Sequence, residues 1–122
     1  DYPTRFPAGS EQSVIIGIGN HEYRNVTYTV ETILLNQSYD NVTNTSVISA
    51  YLPLDSLTAT LSHNETQEFP YNFTVTDPKY NRLQFLLFNE TVPLANVTGS
   101  DRVNASYRDL HLWITVRPAI RA

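Results

Sequence analysis

The segment Glu68–Thr76 reads EFPYNFTVT and alternates apolar and polar side chains without a break. Its apolar positions are Phe69, Tyr71, Phe73 and Val75. Strict alternation of this kind predicts a β-strand with one face on a core. Pro70 has no N–H to donate to a neighbouring strand, so we expect this strand to begin late or to lie at a sheet edge.

Patterns in the rest of the chain also predict strands. The other segments predicted as strands are 11–19, 25–36, 46–54, 57–61, 82–89 and 107–117. Segment 82–89 (RLQFLLFN) is almost continuously apolar, which is typical of a central strand that is buried on both faces. In segment 107–117 the positions expected to face the core are Leu110, Leu112, Ile114 and Val116. Segment 90–106 has little periodicity and is predicted to be a loop.

About seven to eight short strands separated by turn signals predict an all-β fold. We expect a two-sheet antiparallel β-sandwich, immunoglobulin-like or cell-adhesion-like, that forms a single domain over residues 1–122. The chain has no Cys, which excludes a disulfide framework and thiolate metal ligands. Because it begins at Asp1 without an initiator Met, we expect it to be excised from a longer, membrane-anchored protein.

The charge content argues against two classes of partner. Charged residues make up 16% of the chain and the net charge is −4, with no run of Lys or Arg. We therefore expect no binding to nucleic acid or to anionic lipid. No stretch approaches the ~18 apolar residues of a membrane span, so a membrane attachment is expected only through segments outside this chain.

The Asn-x-Ser/Thr acceptor pattern for N-glycosylation is unusually frequent. It begins at Asn25, Asn36, Asn41, Asn44, Asn64, Asn72, Asn89, Asn96 and Asn104. Nine of the 11 Asn residues therefore carry it, whereas 23 Ser and Thr among 122 residues predict roughly two matches by chance. The excess indicates a glycoprotein whose acceptor residues face solvent at the cell exterior.

Strand alternation agrees with this interpretation. In Asn25-Val26-Thr27 and Asn72-Phe73-Thr74 the middle residue belongs to the predicted apolar face and the flanking pair to the polar face. Asn41-Val42-Thr43 and Asn96-Val97-Thr98 have the same form in less regular segments. The alternative is that Asn and Thr simply populate turns and exposed strand faces.

Patterns that would carry catalysis or bind a metal are not recognisable. His21, His63 and His111 share no ligand spacing, so a zinc site would require them to converge through folding. The acidic residues are scattered and define no preferred pair. We therefore predict no catalytic residue, metal ligand or cofactor, and expect a protein that is not an enzyme. A hydrolase is the alternative, and it requires two carboxylates within ~10 Å across a cleft.

Three aromatic and imidazole side chains are candidate contacts for a sugar or a protein partner. Trp113 and His111 lie on the predicted outer face of the last strand, and Tyr23 lies in a polar turn. A carbohydrate-binding module that uses such outer-face aromatics is an alternative function. The plainer interpretation is that these rings pack between sheets or beneath a loop.

Several short segments carry a family resemblance. They are Tyr2-Pro3-Thr4, Gly9-Ser10-Glu11 leading into 14–18, Asn20-His21-Glu22-Tyr23, Tyr28-Thr29-Val30-Glu31 and residues 107–113 (YRDLHLW). The chain resembles the extracellular domain of the archaeal membrane-protein family known as domain of unknown function 1616. The resemblance implies several membrane spans followed by an exterior β-sandwich, and it brings no catalytic residues.

These observations lead to one expectation for function. We expect a non-catalytic, N-glycosylated module of an archaeal membrane-anchored envelope protein, located on the extracellular face of the cell membrane, with a structural or adhesive role. Other envelope proteins and glycans are the expected partners.

Overall fold

A computed structural model describes residues 4–118, which form eight strands and one short helix. The elements are β1 (Arg5–Pro7), β2 (Glu11–Gly19), β3 (Val26–Asp40), β4 (Thr45–Leu61), β5 (Thr66–Thr74), β6 (Arg82–Asn89), α1 (Gly99–Ala105), β7 (Arg108–Trp113) and β8 (Thr115–Arg117). The bounds of β2 and β6 are those predicted from alternation and from the apolar run. Within the described residues, no helix has the length and apolar character needed to cross a membrane.

The strands form three hydrogen-bonded sheets. An antiparallel four-stranded sheet has the order β4-β3-β6-β7, β2 pairs with β5 in antiparallel fashion, and β1 pairs with β8 in parallel. The prediction of a mostly antiparallel β-fold without Cys is confirmed. The predicted two-sheet immunoglobulin-like sandwich is wrong in its sheet count. Ile114 interrupts the last predicted strand: its N–H donates to the Asn81 carbonyl, and the next N–H, of Thr115, donates to Thr4 at 2.7 Å.

Apolar side chains cover both faces of the four-stranded sheet. The main core lies between this sheet and the β2–β5 pair, where Ile16, Phe73 and Leu83 belong to one buried cluster. A second cluster on the opposite face contains Ile33, Leu35, Leu86 and Phe88, with Val103 of α1 packed against it. Because β6 contributes to both clusters, its continuous apolar run is explained and its predicted central position is confirmed.

The predicted break at Pro53 is wrong. Segments 46–54 and 57–61 form one strand, β4, of 17 residues. Pro53 is tolerated because β4 lies at the edge of its sheet, where a missing N–H leaves no ladder bond unmade. The register shifts beside it, since Thr32 pairs with Asp55 but Ile33 pairs with Pro53, which is the signature of a β-bulge.

Other predicted bounds also change. β3 continues to Asp40, and β5 covers residues 66–74 rather than 68–76. The edge position expected from Pro70 is confirmed, because β5 pairs with β2 alone in the described part of the chain. The predicted loop 90–106 contains α1, a helix too short to show an apolar period. Leu110 pairs with Phe85 on the main-core side of the sheet, as predicted, but it is 59% exposed because β7 lies at the sheet edge.

Candidate functional site

Two acceptor Asn residues lie where strand alternation predicted. Asn25, directly before β3, is exposed, and Val26 after it is buried in the main core. Asn72 on β5 is exposed, Phe73 is buried, and Thr74 is exposed again. The alternation of the strand therefore turns both acceptor amides away from the core. This part of the sequence-based geometry is confirmed.

Three further acceptors lie in tight turns. Asn44 and Asn64 adopt positive φ values of 59° and 67°, a left-handed conformation that Asn tolerates better than most residues. Asn41 is exposed in the same turn as Asn44. Val42 between them is 94% exposed, so the prediction that it shares a buried face is wrong. The local turn, rather than strand alternation, presents Asn41 to solvent.

The acceptors beyond β6 belong to the segment that contains α1. Asn96 is exposed in the loop before the helix, and Val97 after it is half-buried. Asn104 is exposed on α1, and Ser106, the third residue of its pattern, bonds the Val103 carbonyl through Oγ at 2.6 Å. Both amides are therefore accessible, although one of them lies on a helix that the sequence did not predict.

The two remaining acceptors, Asn36 and Asn89, are half-buried. Asn36 donates from Nδ2 to the Lys79 carbonyl at 2.6 Å. A glycosylated amide keeps one N–H, so attachment of a sugar at Asn36 does not by itself require this hydrogen bond to be lost. Asn89 ends β6 and pairs with Tyr28 of β3. We expect these two residues to be modified less completely than the seven exposed ones.

The two Asn residues outside the acceptor pattern have a different environment. Asn20 is fully buried, and its Nδ2 donates to the carbonyls of Arg24 (2.8 Å) and Leu61 (2.7 Å). Its Oδ1 accepts the Glu22 N–H at 2.8 Å. Asn81 exchanges two side-chain hydrogen bonds of 2.9 Å with the Gln37 backbone. Both side chains hold backbone segments in place. Asn20 opens the segment Asn20-His21-Glu22-Tyr23, one of those that carry the family resemblance.

Trp113 lies in a polar patch on the outer face of the four-stranded sheet. The ring is 52% exposed, with the Arg82 guanidinium carbon 4.7 Å from its centroid and the His111 ring edge-on at 6.1 Å. Arg82 also donates to Gln84 (3.0 Å), and Gln84 donates to Asp109 (2.7 Å). Partial burial lowers the pKa of Arg82, and the nearby Asp109 carboxylate opposes that effect.

Tyr23 lies in a separate cluster. Its ring is 86% exposed and stacks on His63 at 4.3 Å, and its N–H donates to His63 Nδ1. The Tyr107 hydroxyl, just before β7, bonds Glu22 beside this cluster at 2.7 Å. Trp113 ends β7, so at ~3.3 Å per residue Tyr107 and Trp113 lie about 20 Å apart along the strand. The structure therefore brings His111 to Trp113 but does not join Tyr23 to them in one platform.

Sequence reasoning missed a buried ion pair under the 90–98 loop. Arg102 of α1 is buried and bonds both Glu31 carboxylate oxygens, at 2.6 and 2.7 Å. It also donates to the backbone carbonyls of Pro93, Leu94 and Val97. The bond to Glu31 raises the pKa of Arg102. One sequence signal was available: Glu31 alternates onto the same strand face as Ile33 and Leu35.

A depression of about 370 Å³ adjoins this ion pair. Its polar lining includes Glu31, Tyr51, Asp55, Thr98 and Arg102. Arg102 makes five hydrogen bonds within the chain, so its guanidinium is committed to the fold rather than free to hold an anion. Burial raises the pKa of Tyr51. Within residues 4–118 no group of three His, Asp or Glu side chains is arranged to hold a metal ion.

Comparison with known proteins identifies the family. The sequence profile described as Domain of unknown function (DUF1616) matches residues 1–115, and the chain belongs to this family. No curated protein matches the chain. Among solved structures, a similar one is the crystal structure of Spo0M, sporulation control protein, from Bacillus subtilis, with a TM-score of 0.47 and 11% identity. The match covers 93% of this chain and 45% of that chain.

Proposed function

We propose that this domain is a non-catalytic, N-glycosylated module on the extracellular face of the cell membrane. In this proposal it belongs to a membrane-anchored archaeal envelope protein and has a structural or adhesive role toward other envelope proteins or glycans. The family resemblance implies the anchored archaeal setting. The acceptor pattern supports the exterior location.

The observation that carries the proposal is the division of the Asn residues by environment. The seven exposed Asn residues all carry the acceptor pattern. The two without the pattern, Asn20 and Asn81, are not exposed and use both side-chain polar atoms to bond the backbone, whereas the half-buried acceptor Asn36 bonds the backbone through Nδ2 alone. If Asn and Thr were placed only by turn and strand preferences, this correspondence between the pattern and exposure would have no cause. Selection for glycan attachment supplies one.

A structural role is supported by the hydrogen bonds that three buried polar side chains make within the chain. Asn20, Gln84 and Arg102 are buried, and each is held by hydrogen bonds within the chain. Asn20 fixes the turn after β2, and Arg102 fixes the segment before α1. Asn20 and Arg102 thus stabilise loops, and Gln84 links side chains of β6 and β7, so all three side chains are used to hold the fold.

Glycopeptide mass spectrometry of protein purified from its native host tests the proposal. The expected result is a mass increment at most of the seven exposed acceptors, lower occupancy at Asn36 and Asn89, and none at Asn20 or Asn81. The last two residues are internal controls within the same digest. Finding all nine acceptors unmodified would contradict the proposed extracellular location.

Matched variants separate glycosylation from other modifications. Thr74→Ala removes the acceptor pattern at Asn72 while leaving the amide in place, and Thr74→Ser keeps the pattern. Because Thr74 is exposed at the end of β5, both variants are expected to fold. Loss of the increment at Asn72 in Thr74→Ala alone supports N-glycosylation. Retention in Thr74→Ala attributes the increment to different chemistry.

The carbohydrate-binding alternative rests on the Trp113 patch. A half-exposed indole beside Arg82 and the exposed Asp109 offers a stacking face together with planar charged groups that can form hydrogen bonds. Trp113 is the single Trp of the chain, so fluorescence excited selectively at tryptophan, and not at the eight Tyr residues, reports this patch. Titration with a panel of oligosaccharides should shift the emission if the patch binds sugar, and Asp109→Ala, at an exposed position of the patch, should weaken the shift. An unchanged spectrum across the panel counts against this alternative.

A further inference from the structure

The open strand edges of the domain are unequally protected. β4 carries Pro53, register shifts and the acceptor Asn44 just before its start. β5 carries Pro70 and the acceptor Asn72. Proline and irregular register are common devices against unwanted strand pairing, and a glycan blocks a surface sterically. β2 and β7 contain neither a proline nor an acceptor Asn.

The two unprotected strands lie on the same side of the domain. They line one apolar depression of about 220 Å³, to which Ile16, Phe85 and Leu110 contribute. A smaller one of about 130 Å³ adjoins it, and the same three residues line it as well. Leu110 is 59% exposed at the mouth of both. An exposed apolar rim beside an unpaired strand is typical of a surface that another strand covers.

The hydrogen-bonding pattern of β7 determines which of its residues direct their backbone N–H and C=O groups away from the sheet. Ile114 donates to Asn81 in the register of the β6–β7 ladder. Residues of an antiparallel pair alternate in the direction of their N–H and C=O groups. Leu110 and Leu112 therefore bond to β6, whereas Asp109, His111 and Trp113 direct their backbone groups away from the sheet. These outward groups are available to a further strand.

Four antiparallel self-pairings of β7, centred on positions 109 to 112, match outward residues with outward residues, and the one centred on Leu112 pairs only residues 111–113 of the strand. Centring on Asp109 places two carboxylates opposite each other, and centring on His111 does the same with two imidazoles. Centring on Leu110 instead places Asp109 opposite His111 of the second copy, twice by symmetry. Two directly opposed carboxylates repel each other, and two imidazoles gain no opposite charge, whereas an imidazole can donate a hydrogen bond to the facing carboxylate. Leu110 then meets its own copy in the closer, non-hydrogen-bonded position, above the apolar depression.

We propose that β7 pairs with β7 of a second copy of this chain, antiparallel and centred on Leu110. The four-stranded sheets of the two copies then form one continuous sheet, and the two Leu110 side chains cover the apolar depressions. The argument from acceptor-free edges rests on the proposed function. The arguments from the hydrogen-bonding pattern of β7 and from the charges of its side chains do not rest on the proposed function. The partner of the domain is therefore a second copy of the same chain.

Cysteine scanning tests the register directly, because the chain has no Cys of its own. In the proposed register the two Cβ atoms at position 110 lie about 4.5–5.5 Å apart, close enough to form a disulfide after a small adjustment. Under mild oxidation, Leu110→Cys should form a covalent dimer faster than Asp109→Cys, His111→Cys and the turn control Val42→Cys. Fastest cross-linking at any other of these positions overturns the proposed pairing.

Sedimentation velocity on unglycosylated recombinant protein, from about 1 µM to about 300 µM, measures the association itself. The wild-type chain should shift toward twice its 13.9 kDa mass as concentration rises. Leu110→Lys should weaken association at least about tenfold, because it places two cations opposite each other at the edge. Val42→Lys adds the same charge in a distant turn and should leave association unchanged.

The outcomes separate this proposal from the proposed function. A wild-type chain that stays monomeric at every concentration overturns the dimer, whatever the glycopeptide analysis finds. Equal weakening by Leu110→Lys and Val42→Lys also overturns it, because association would then depend on net charge alone. If the recombinant chain dimerises but protein from the native host carries no glycan at any of the nine acceptors, the glycoprotein proposal fails and the strand pairing stands.

Discussion

Replacing Arg102 with Met should destabilise the domain strongly. The substitution keeps a flexible apolar stem in a site that is 7% exposed, and removes the charge that faces Glu31. The Glu31 side chain is 14% exposed, so its carboxylate would be left buried without a counter-charge. Breaking a buried pair in this way costs about 3–5 kcal/mol. The backbone carbonyls at Pro93, Leu94 and Val97 would lose their donor as well.

That cost is a large share of the about 5–15 kcal/mol that separates most folded domains from their unfolded chains. For a domain of this size it corresponds to a fall in Tm of about 12–20 °C. Urea denaturation followed by circular dichroism measures the free energy of unfolding, and a thermal scan measures Tm. The double variant Arg102→Met with Glu31→Met removes both charges and should recover about 2 kcal/mol relative to Arg102→Met alone.

A surface ion pair provides the matched control. Arg24 and Glu90 lie 3.1 Å apart with side chains 57% and 45% exposed. Arg24→Met should therefore cost less than about 1 kcal/mol. If Arg102→Met costs no more than Arg24→Met, the ion pair does not hold the 90–98 segment as argued. Failure of the double variant to recover any stability would show that the loss comes from packing or from the backbone carbonyls.

Three further predictions concern Asn20 in the turn after β2, Leu83 in the main core and Asp40 at the end of β3. Asn20→Ala should cost about 2–4 kcal/mol in urea denaturation, because it leaves buried backbone groups without partners; a cost below about 1 kcal/mol would contradict the role of Asn20. Leu83→Ala, at a fully buried site, should cost about 2–5 kcal/mol, whereas Ile15→Ala, at a site that is 63% exposed, should cost far less. Hydrogen bonds from the Val42 and Thr43 backbone lower the pKa of Asp40, so its stabilising contribution is present above the unfolded pKa of about 4 and is lost as pH falls through the folded pKa. Asp40→Asn should flatten the acid limb of a stability curve measured from about pH 5 to pH 2, and parallel curves would refute this.

The parts of the fold that follow from local pattern could be predicted from the sequence. Segments 11–19 and 82–89 became β2 and β6 with the expected bounds, because alternation and apolar runs directly encode which faces are buried. The continuity of β4 through Pro53 could not be predicted in this way. A proline ends a central strand and is tolerated at an edge, and only the tertiary arrangement decides which applies. Helix α1 has seven residues, too few to show a helical period.

The features of the candidate site also fall into those that follow from local pattern and those that depend on the assembled fold. The outward direction of Asn25 and Asn72 follows from the strands that contain them. The exposure of Val42 depends on a turn, and turns do not obey strand alternation. The separation of Tyr23 from Trp113 is a property of the assembled sheet, and the Arg102–Glu31 pair joins residues 71 positions apart. Contacts over such distances leave no trace in a local pattern beyond one charged residue on an apolar face.

The parallel pairing of β1 with β8 has a mechanical consequence. Thr115 donates to Thr4 and Ala8 donates to Arg117, each at 2.7 Å, so the first and last strands lie side by side and run in the same direction. A stretching force applied at residues 4 and 118 pulls these strands along their axes in opposite directions. The bonds between them are then loaded together in shear instead of opening one after another. The domain is therefore built to resist tension along the chain better than its short terminal strands suggest.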